Sequence, residues 1–484
     1  MTISVEKLVL DNTFVLADVQ FLDRQSIDPL GRVFSFCGEF YRAINDGYVQ
    51  HVLEMFSSGL IGHLQDANLI PITVVTDFRL PGYGLILKHE TISPEIYPSE
   101  WTFSMLYQAA LCVLEAAKIA AIYGYNMKDC HTQNILFKGC IPVYVDLGSF
   151  YKSEPGAVGW APQESFLEAY IYPLTLMSKG NYWIGNLCLT TLYPLDRLKY
   201  TLIRFPLATL IPHTLISKYA LLVGNFRKIS QLSFSRLSAI KNPKLRTFIS
   251  VFKPIVNWMS RSILNCLEIN FRKLKRISAP KVISQWSTYY DSAEIASERF
   301  SHLIDSINLR CPDALSLVDI AGNQGSLINL LILKTKLKSY ICLDIDDGAI
   351  ERGFNSARLT LNAKKISFAC FDFMSPMGYL SDKSPYVRYA ADITVCMALT
   401  HHLLLTQGFS AEQVVERVGA VCKKYLFVEF MPLGLVGQNN LVPDPGLPSN
   451  YTLETFTAAL ERNFKIIEII EEEANRTLIF AIRK

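Results

Sequence analysis

The most restrictive feature of this sequence is an apolar run at residues 317–325 that ends in an acid and then a small-residue turn. A second apolar run, residues 340–343, ends in Asp344, nineteen residues beyond Gly325. In a strand-helix-strand unit, this spacing brings a carboxylate on the second strand to a ribose held over the first turn. The sequence therefore predicts a nucleotide-binding unit, with the turn on one strand and the ribose acid on the next.

The composition of the turn favours a cationic ligand over a dinucleotide. A pyrophosphate site needs the pattern G-x-G-x-x-G, which lets backbone amides approach the phosphates at a helix N-terminus. This turn has only Gly322 and Gly325, and Asp319 stands at its mouth. A carboxylate there would repel pyrophosphate and attract the cationic methionyl end of S-adenosylmethionine. Taken alone, the turn is equally compatible with an ordinary tight connection between a strand and a helix.

Further apolar runs extend this unit into a sheet. Residues 366–371 precede Asp372, and two more runs follow at 393–399 and 425–430. The sequence Ser-Ala-Glu-Gln at 410–413 is a capping box that opens a predicted helix over 414–423. Continuous apolar strands that alternate with helices predict a parallel sheet covered on both faces. The last two runs, 464–470 and 477–482, predict a terminal hairpin.

Residues 285–484 resemble the class I methyltransferases. Residues 319–325 are similar to their motif I, D-x-G-x-x-x-G, with Ala321 at the position of the first glycine. The resemblance implies an α/β, Rossmann-like fold with a seven-stranded sheet whose last strand is antiparallel, and S-adenosylmethionine as the cofactor. It implies that Asp344 binds the ribose and that Asp372 and Phe373 lie at the adenine. The cofactor-binding residues implied in this way are Asp319, Ala321, Gly322, Asn323, Gly325, Asp344, Ile345, Asp372 and Phe373.

Three residues are candidates to face the methyl acceptor. The end of the fourth strand, residues 399–402, matches the place where class I methyltransferases put acceptor-facing groups. Because ligands in open α/β sheets bind outside the carboxyl ends of the strands, the candidate catalytic residues are His401, His402 and Glu429. A neutral imidazole there could take the proton from a hydroxyl as the methyl group moves. For each histidine, a side chain that caps the strand and packs is the alternative.

The N-terminal half carries the spacing D-x4-N followed by D-L-G, at Asp129, Asn134 and Asp146. This resembles the catalytic loop and metal-binding turn of protein kinases and small-molecule phosphotransferases, which implies an α+β kinase-like domain over residues 1–195. In such enzymes the first Asp receives the hydroxyl proton, and the Asn and second Asp hold magnesium. Residues 31–36 and 39–44 predict a hairpin of the small lobe. An ordinary strand-loop-strand with satisfied polar residues is the alternative.

This half departs from the kinase pattern where the nucleotide phosphates would bind. Lys7 is the only lysine before Lys88, no glycine-rich loop is present, and Met127 replaces the usual catalytic-loop histidine. Arg42 could stand in for the missing lysine, but a guanidinium does not replace an ammonium directly. We therefore expect a degenerate kinase-like domain, and whether it binds magnesium and ATP is left open.

A kinase-like region, a basic helical middle, residues 286–290 and a fourth strand that ends at 398–403 follow one another in this chain. This combination resembles a bacterial family of class I methyltransferases with an N-terminal kinase-like region, related to a rhizobial nodulation protein. The resemblance covers most of the chain, and its specific motifs lie in the C-terminal domain. The resemblance implies transfer of a methyl group from S-adenosylmethionine to a hydroxyl or amine of a small molecule, a glycan or a lipid-linked sugar. The alternative is a macromolecule-directed protein that docks RNA or a protein partner through its kinase-like and basic regions. The acceptor and the oligomeric state are not implied.

The formal net charge of +3 hides a basic segment between the two halves. Residues 197–281 hold 17 Lys and Arg against the single acid Glu268, so this stretch carries +16 and the remainder carries −13. We assign residues 196–284 to a basic helical segment that continues the N-terminal domain. Its partner could be an anionic membrane surface or a phosphorylated substrate, and a solvated face is the alternative. Nucleic acid is disfavoured because RNA binding usually needs aromatic platforms beside the basic residues, and the stretch shows no RNA-module motif.

Length and composition fit a cytoplasmic protein of two or three domains. The 484 residues are 50% hydrophobic, enough to bury a sizeable core in each domain. Uninterrupted apolar runs of 18 residues are missing, and residues 1–11 lack the features of a signal peptide. The 11 cysteines are scattered without C-x-x-C pairs, so we expect reduced core residues rather than disulfides or a metal site.

Overall fold

The protein was analysed as a computed structural model, which describes residues 12–22, 28–154, 159–190, 195–205, 262–281, 284, 286, 300–376, 384–436, 442–473 and 475–484. The chain forms two compact units. The first unit comprises Met1–Ile92, Leu106–Leu136 and Pro142–Pro280. The second unit comprises Ser93–Met105, Phe137–Ile141 and Lys281–Lys484.

The first unit contains a five-stranded antiparallel sheet with the order β1-β2-β3-β5-β4. The predicted hairpin is confirmed, because its strands span residues 31–36 and 39–44 and are joined by Cys37 and Gly38, both at positive φ. Such a two-residue turn matches the right-handed twist of the strands it connects. An aromatic cluster around Phe14 packs on one face of this sheet. The strands are β1 (Gln20–Phe21), β2 (Gly31–Phe36), β3 (Glu39–Ile44), β4 (Thr73–Val75) and β5 (Leu85–His89).

Helices and two short strand pairs complete this part of the chain. Helix α3 is long and apolar enough to cross a bilayer by length and composition, and in the described residues it alone passes that test. However, 61% of its apolar window is buried inside the protein, as in the core helix of a globular domain. The helices are α1 (Val49–Ser57), α2 (Leu60–Asp66), α3 (Phe103–Ile122), α4 (Gln163–Phe166), α5 (Tyr172–Ser178), α6 (Tyr182–Thr190), α7 (Arg197–Arg204) and α8 (Ile263–Lys275). The strands are β6 (Tyr125–Met127), β7 (Ile135–Lys138), β8 (Ile141–Tyr144) and β9 (Phe150–Lys152), with β6 paired to β9 and β7 to β8.

The second unit is built on a seven-stranded sheet with the order β12-β11-β10-β13-β14-β16-β15. The strands from β12 to β14 in this order are parallel, whereas β16 runs antiparallel to both β14 and β15. The seven-stranded sheet with an antiparallel last strand is therefore confirmed. The strands are β10 (Ser316–Ile320), β11 (Ser339–Asp344), β12 (Ile366–Cys370), β13 (Ala391–Cys396), β14 (Cys422–Phe430), β15 (Phe464–Glu473) and β16 (Arg476–Arg483).

The helices of this unit begin where the sequence signals them. The capping box is confirmed, since the Ser410 hydroxyl accepts from the Gln413 N–H and the Gln413 side chain accepts from the Ser410 N–H. The capped helix ends at Val421 rather than at 423, because the chain enters β14 at Cys422. The helices are α9 (Ser301–Arg310), α10 (Ser326–Lys334), α11 (Asp347–Ala357), α12 (Pro385–Arg388), α13 (Ala411–Val421) and α14 (Leu453–Leu460).

The second unit also takes in two short segments from the N-terminal half of the chain, which the sequence boundary at 285 does not anticipate. In the segment Ser93–Met105, Glu100 accepts two hydrogen bonds from Arg388, at 3.0 and 2.6 Å, and both side chains are buried. The buried Trp101 ring packs on Phe137, whose ring meets Phe354 of α11. These contacts make both segments part of the second unit.

Candidate functional site

The predicted cofactor turn has an unusual backbone. Three of its residues lie in the left-handed region: Ala321 at φ 57°, Asn323 at φ 53° and Gly325 at φ 77°. The left-handed conformation generally costs a residue with a Cβ about 1–2 kcal/mol. Ala321 thus keeps the backbone conformation that a glycine would adopt more easily at this position.

Gly322 is required by close packing against Asp319. A Cβ on Gly322 would lie 2.7 Å from Asp319 Oδ2 and 2.8 Å from Cys342 Sγ. The Asp319 side chain is buried on β10, with 3% of the residue exposed. The turn therefore closes directly over this carboxylate, and its N–H at Gly322 bonds the Leu343 carbonyl of the neighbouring strand at 3.1 Å.

Asp344 lies at the end of β11 and holds the turn. Its Oδ2 accepts the Asn323 N–H at 2.8 Å, and its Oδ1 accepts the Asp346 N–H at 2.9 Å. Burial raises the pKa of Asp344, and these two backbone hydrogen bonds oppose that shift. Because each carboxylate oxygen can accept more than one hydrogen bond, Asp344 keeps capacity for a ribose diol.

The residues after Asp344 begin helix α11. Asp346 Oδ1 accepts the Ala349 N–H at 2.9 Å and the Ser284 hydroxyl at 2.8 Å, so it caps the helix. Ile345 is 68% exposed and offers an apolar side chain beside the predicted ribose position. The structure thus places Ile345 at the surface of the site.

Asp372 and Phe373 follow β12. Asp372 Oδ1 accepts the N–H groups of Met374 and Ser375 at 3.1 and 2.9 Å, which fixes the turn after the strand. Phe373 is buried, and its carbonyl accepts the Tyr386 hydroxyl at 2.9 Å. Both predicted adenine residues therefore lie at the same carboxyl edge of the sheet as Asp344.

The two predicted histidines are neighbours in space. The rings of His401 and His402 are 4.1 Å apart, and the indole of Trp286 meets His402 edge-on at 5.5 Å. Burial lowers the pKa of His402, which keeps its imidazole neutral at neutral pH. Trp286 belongs to this site, because its carbonyl also accepts the Asn323 side-chain N–H at 2.9 Å. The sequence shows Trp286 only as part of a local motif and gives no sign of this contact.

Glu429, the third candidate to face the acceptor, lies in a buried ion pair. Its side chain is fully buried, and both carboxylate oxygens accept from Arg476 Nη1, at 2.9 and 2.8 Å. Its Oε2 also accepts the Ala398 N–H at 2.6 Å. These contacts tie β14 and β16 to the chain after β13, and a role for Glu429 at the acceptor stays a prediction.

Several polar side chains of the first unit bond to one another. Asn134 Nδ2 donates to Asp129 Oδ1 at 2.5 Å, and Arg42 Nη1 donates to Asp28 Oδ2 at 2.7 Å. Asp146 Oδ1 lies 3.9 Å from Arg42 Nη2 and accepts the Gly148 N–H. Burial raises the pKa of Asp146, and the nearby Arg42 charge opposes the shift.

The described residues include no cluster of three or more His, Cys, Asp or Glu side chains placed to hold a metal ion. Most of the basic segment, residues 206–261, lies outside the described part of the chain. At its described ends, Arg197 of α7 pairs with Glu164 at 2.9 Å and Arg272 of α8 pairs with Glu268 at 3.0 Å. Helix α8 buries Leu267, Asn270 and Leu274 and leaves its cationic residues toward solvent.

Comparisons with known proteins give distant similarities. No family model matches the sequence. The chain is 22% identical to the nodulation protein NoeA of Rhizobium meliloti (strain 1021) in an alignment of 469 positions that covers 91% of this chain and 91% of that protein.

Among solved structures, one similar chain is magnesium protoporphyrin IX methyltransferase from Synechocystis PCC 6803 with bound SAM. It is 11% identical, with a TM-score of 0.29, and the match covers 44% of this chain and 91% of that one. Another is an O-methyltransferase family protein from Burkholderia thailandensis. It is 13% identical, with a TM-score of 0.28, and the match covers 40% of this chain and 58% of that one.

Proposed function

We propose that the protein is an S-adenosylmethionine-dependent methyltransferase whose cofactor binds at the carboxyl edge of the seven-stranded sheet. The observation that carries this proposal is the position of the turn after β10. In the strand order, the chain proceeds from β10 towards β12 on one side and then from β13 towards β14 on the other. Ligands in open α/β sheets bind in the crevice at this point of reversal.

The residues at this point fit S-adenosylmethionine. Residues 319–325 and 344–347 contain four carboxylates, Asp319, Asp344, Asp346 and Asp347, and no Lys or Arg. This charge suits a cationic ligand and opposes a pyrophosphate. Asp344 is held in place by two backbone N–H groups, so it can accept ribose hydroxyls without having to reorganise.

In this proposal the protein has two tasks, to align the methyl donor with the acceptor and to remove a proton from the acceptor. S-adenosylmethionine supplies an electrophilic methyl group when it is bound, so the chain mainly has to hold donor and acceptor in line. We propose that His402 takes the proton from the acceptor, because burial lowers its pKa and its ring lies beside Trp286. The His401 ring packs against the His402 ring and restricts its orientation.

For the methyl acceptor, we propose the class that the family resemblance implies: a hydroxyl or amine on a small molecule, a glycan or a lipid-linked sugar. The competing proposal is a macromolecule-directed methyltransferase that docks RNA or protein through the first unit and the basic segment. Comparing metabolites of a deletion strain with its parent separates the two proposals. A small product lighter by one methyl group in the deletion strain would favour the first.

Calorimetry on Asp344→Ala tests the cofactor assignment directly. Removing a hydrogen bond to a charged group costs about 1.5–3 kcal/mol, so affinity for S-adenosylmethionine should fall about 10-fold to 150-fold. Asp313→Ala is the matched control, because Asp313 is an exposed carboxylate of the same unit that pairs with Lys424. Equal affinities of wild type and Asp344→Ala would contradict the assignment.

For the first unit, we propose a kinase-like fold with little or no phosphotransferase activity. The support is the order of its elements: an antiparallel sheet with two helices between β3 and β4, then a long helix and the loop that carries Asp129 and Asn134. Arg42, which would have to pair with nucleotide phosphates, is instead bound to Asp28. We propose that this unit serves acceptor recognition.

A further inference from the structure

We propose that Glu429, Arg476 and Asn475 form a bracket that positions the two loops on the acceptor side of the site. The histidine loop is defined as residues 397–402, of which the last three begin a helical turn, and the strand-14 loop as residues 431–436. This proposal rests on the proposed methyltransferase function. The three bracket residues act through the loops and are positioning residues, not catalytic ones.

Glu429 holds the histidine loop at two points. Its Oε2 accepts the N–H of Ala398, a residue whose backbone lies at φ 51°. Its backbone carbonyl accepts the Thr400 hydroxyl at 2.6 Å. Because the left-handed region is unfavourable for alanine, the hydrogen bond to Glu429 stabilises a conformation that the loop would otherwise leave. His401 and His402 follow immediately in the chain.

Arg476 fixes Glu429 from the antiparallel strand. It is the first residue of β16, where Glu429 of β14 pairs with Leu478. Both charges are buried, at 0% exposure for Glu429 and 3% for Arg476. A buried ion pair is often no more stabilising than well-packed apolar residues of similar volume. Its place at the carboxyl edge, linked to the histidine loop, is better explained by the orientation that it imposes.

Asn475 holds the strand-14 loop in the same way. Its Oδ1 accepts the Leu433 N–H at 2.6 Å, and its Nδ2 donates to the carbonyls of Gly434 and Val436 at 3.3 and 3.4 Å. Asn475 is also buried, with 7% exposed. Asn475, which directly precedes β16, and Arg476, its first residue, therefore fix both acceptor-side loops.

The bracket should control the environment of His402. If the histidine loop is released, the His402 ring gains solvent and its pKa rises toward the ordinary value of 6.5. The hydrogen bonds of the Glu429 and Asn475 side chains go to the two acceptor-side loops, so we expect affinity for S-adenosylmethionine to stay the same. Misplacement of a reacting group by about 1 Å can cost about 100-fold in turnover.

The test uses the full chain and the double variant Glu429→Gln/Arg476→Gln. The double change leaves the net charge unchanged, so a shift of the His402 titration would not come from altered long-range charge. Nuclear magnetic resonance follows the imidazole titrations, and calorimetry measures S-adenosylmethionine binding.

Glu468→Gln is the matched control. Glu468 lies on the same hairpin, and its ion pair with Arg310, at 2.8 Å, is partly exposed. Thr400→Val removes only the hydroxyl bond to Glu429 and replaces the double variant if that variant does not fold.

An upward shift of the His402 pKa with unchanged cofactor binding, absent in Glu468→Gln, would support the bracket. Identical His402 titrations in wild type and in the variant would overturn it. The two proposals fail separately: a wild-type protein that does not bind S-adenosylmethionine refutes the methyltransferase proposal, whereas the His402 titration decides the bracket in either case.

Discussion

Asp344 of the second unit is held by a different kind of partner from Asp28 and Asp129 of the first unit. In the second unit, Asp344 accepts hydrogen bonds from two backbone N–H groups, those of Asn323 and Asp346. In the first unit, Asp28 is bound by the Arg42 guanidinium and Asp129 by the Asn134 side-chain amide. Both arrangements satisfy a partly buried carboxylate, but they leave it with different capacities.

Backbone N–H groups orient a carboxylate and leave its negative charge in place, whereas a guanidinium cation neutralises that charge. Asp344 therefore remains an anion that can accept a ligand hydroxyl. Arg42 and Asp28 already neutralise each other, and a nucleotide phosphate would have to break this pair. The comparison leads us to expect ligand binding at the second unit and a mainly structural cluster in the first.

The largest expected effect is the loss of turnover on replacing a histidine of the second unit, compared with no change for a histidine of the first unit. Replacement of His402 by alanine should reduce turnover about 100-fold to 10,000-fold, the usual contribution of a general base. Because the pKa of His402 is lowered, the base is already deprotonated at pH 6.5. Wild-type turnover should therefore increase with pH in the acidic range and be constant above pH 6.5. Steady-state rates across pH measure this acid limb, which His402→Ala should lose. His89→Gln in the first unit should leave turnover unchanged, and a wild-type pH profile in His402→Ala would refute the base role.

Gly322 in the second unit and Gly148 in the first unit each pack closely against a carboxylate, so matched substitutions test whether only the second unit binds the cofactor. A Cβ on Gly322 would lie 2.7 Å from Asp319 Oδ2, and a Cβ on Gly148 would lie 2.3 Å from Asp28 Oδ2. Overpacking of this kind costs about 1–3 kcal/mol. We expect Gly322→Ala to weaken S-adenosylmethionine binding by about 5-fold to 150-fold, and Gly148→Ala to destabilise its own unit without changing that affinity. Calorimetry and thermal unfolding distinguish the two results, and equal losses of affinity would contradict the assignment of sites.

His89 gives the first unit a predicted acid sensitivity. It is partly buried on β5 beside Thr73, and burial first, with the Arg42 charge second, lowers its pKa to about 3. A histidine with a lowered folded pKa contributes stability that is present above the unfolded value of 6.5 and is lost as the pH falls towards the folded value. At pH 5 the loss should be about 2 kcal/mol. Hydrogen exchange of β3 and β5 amides measures it, and His89→Gln should flatten the dependence; an unchanged slope would argue against His89.

Local patterns predicted much of this fold. The strands of the seven-stranded sheet, the hairpin at 31–44 and the Ser410 cap each depend on residues close in sequence, whose spacing reflects strand and helix periodicity. The buried pair of Glu100 and Arg388 could not be predicted, because its partners are 288 residues apart and each alone is an ordinary charged residue.

The same limit applies within the site. Motif spacing predicted Asp344 and the histidines as site residues, because these residues follow recognisable strands. It could not show that Glu429 pairs with Arg476, since the antiparallel register that brings them together depends on the whole sheet. Trp286 was missed as a site residue for a related reason: its contact with Asn323 joins two segments that share no repeating pattern.

The smallest expected effect is a null result in the first unit. Asp146 is near Arg42 and bonded to the Gly148 N–H, and Lys128 Nζ donates to the Gly148 carbonyl at 2.9 Å, so the side chains that could receive a metal or phosphates are already engaged. Phosphoryl transfer requires the nucleotide phosphates to be paired by cations. Magnesium-dependent ATP hydrolysis by the wild-type protein should therefore equal that of Asp146→Asn. Hydrolysis or acceptor phosphorylation that disappears in Asp146→Asn would show that the Arg42 and Asp28 pair opens for nucleotide, and the contrast between the two units would then fail.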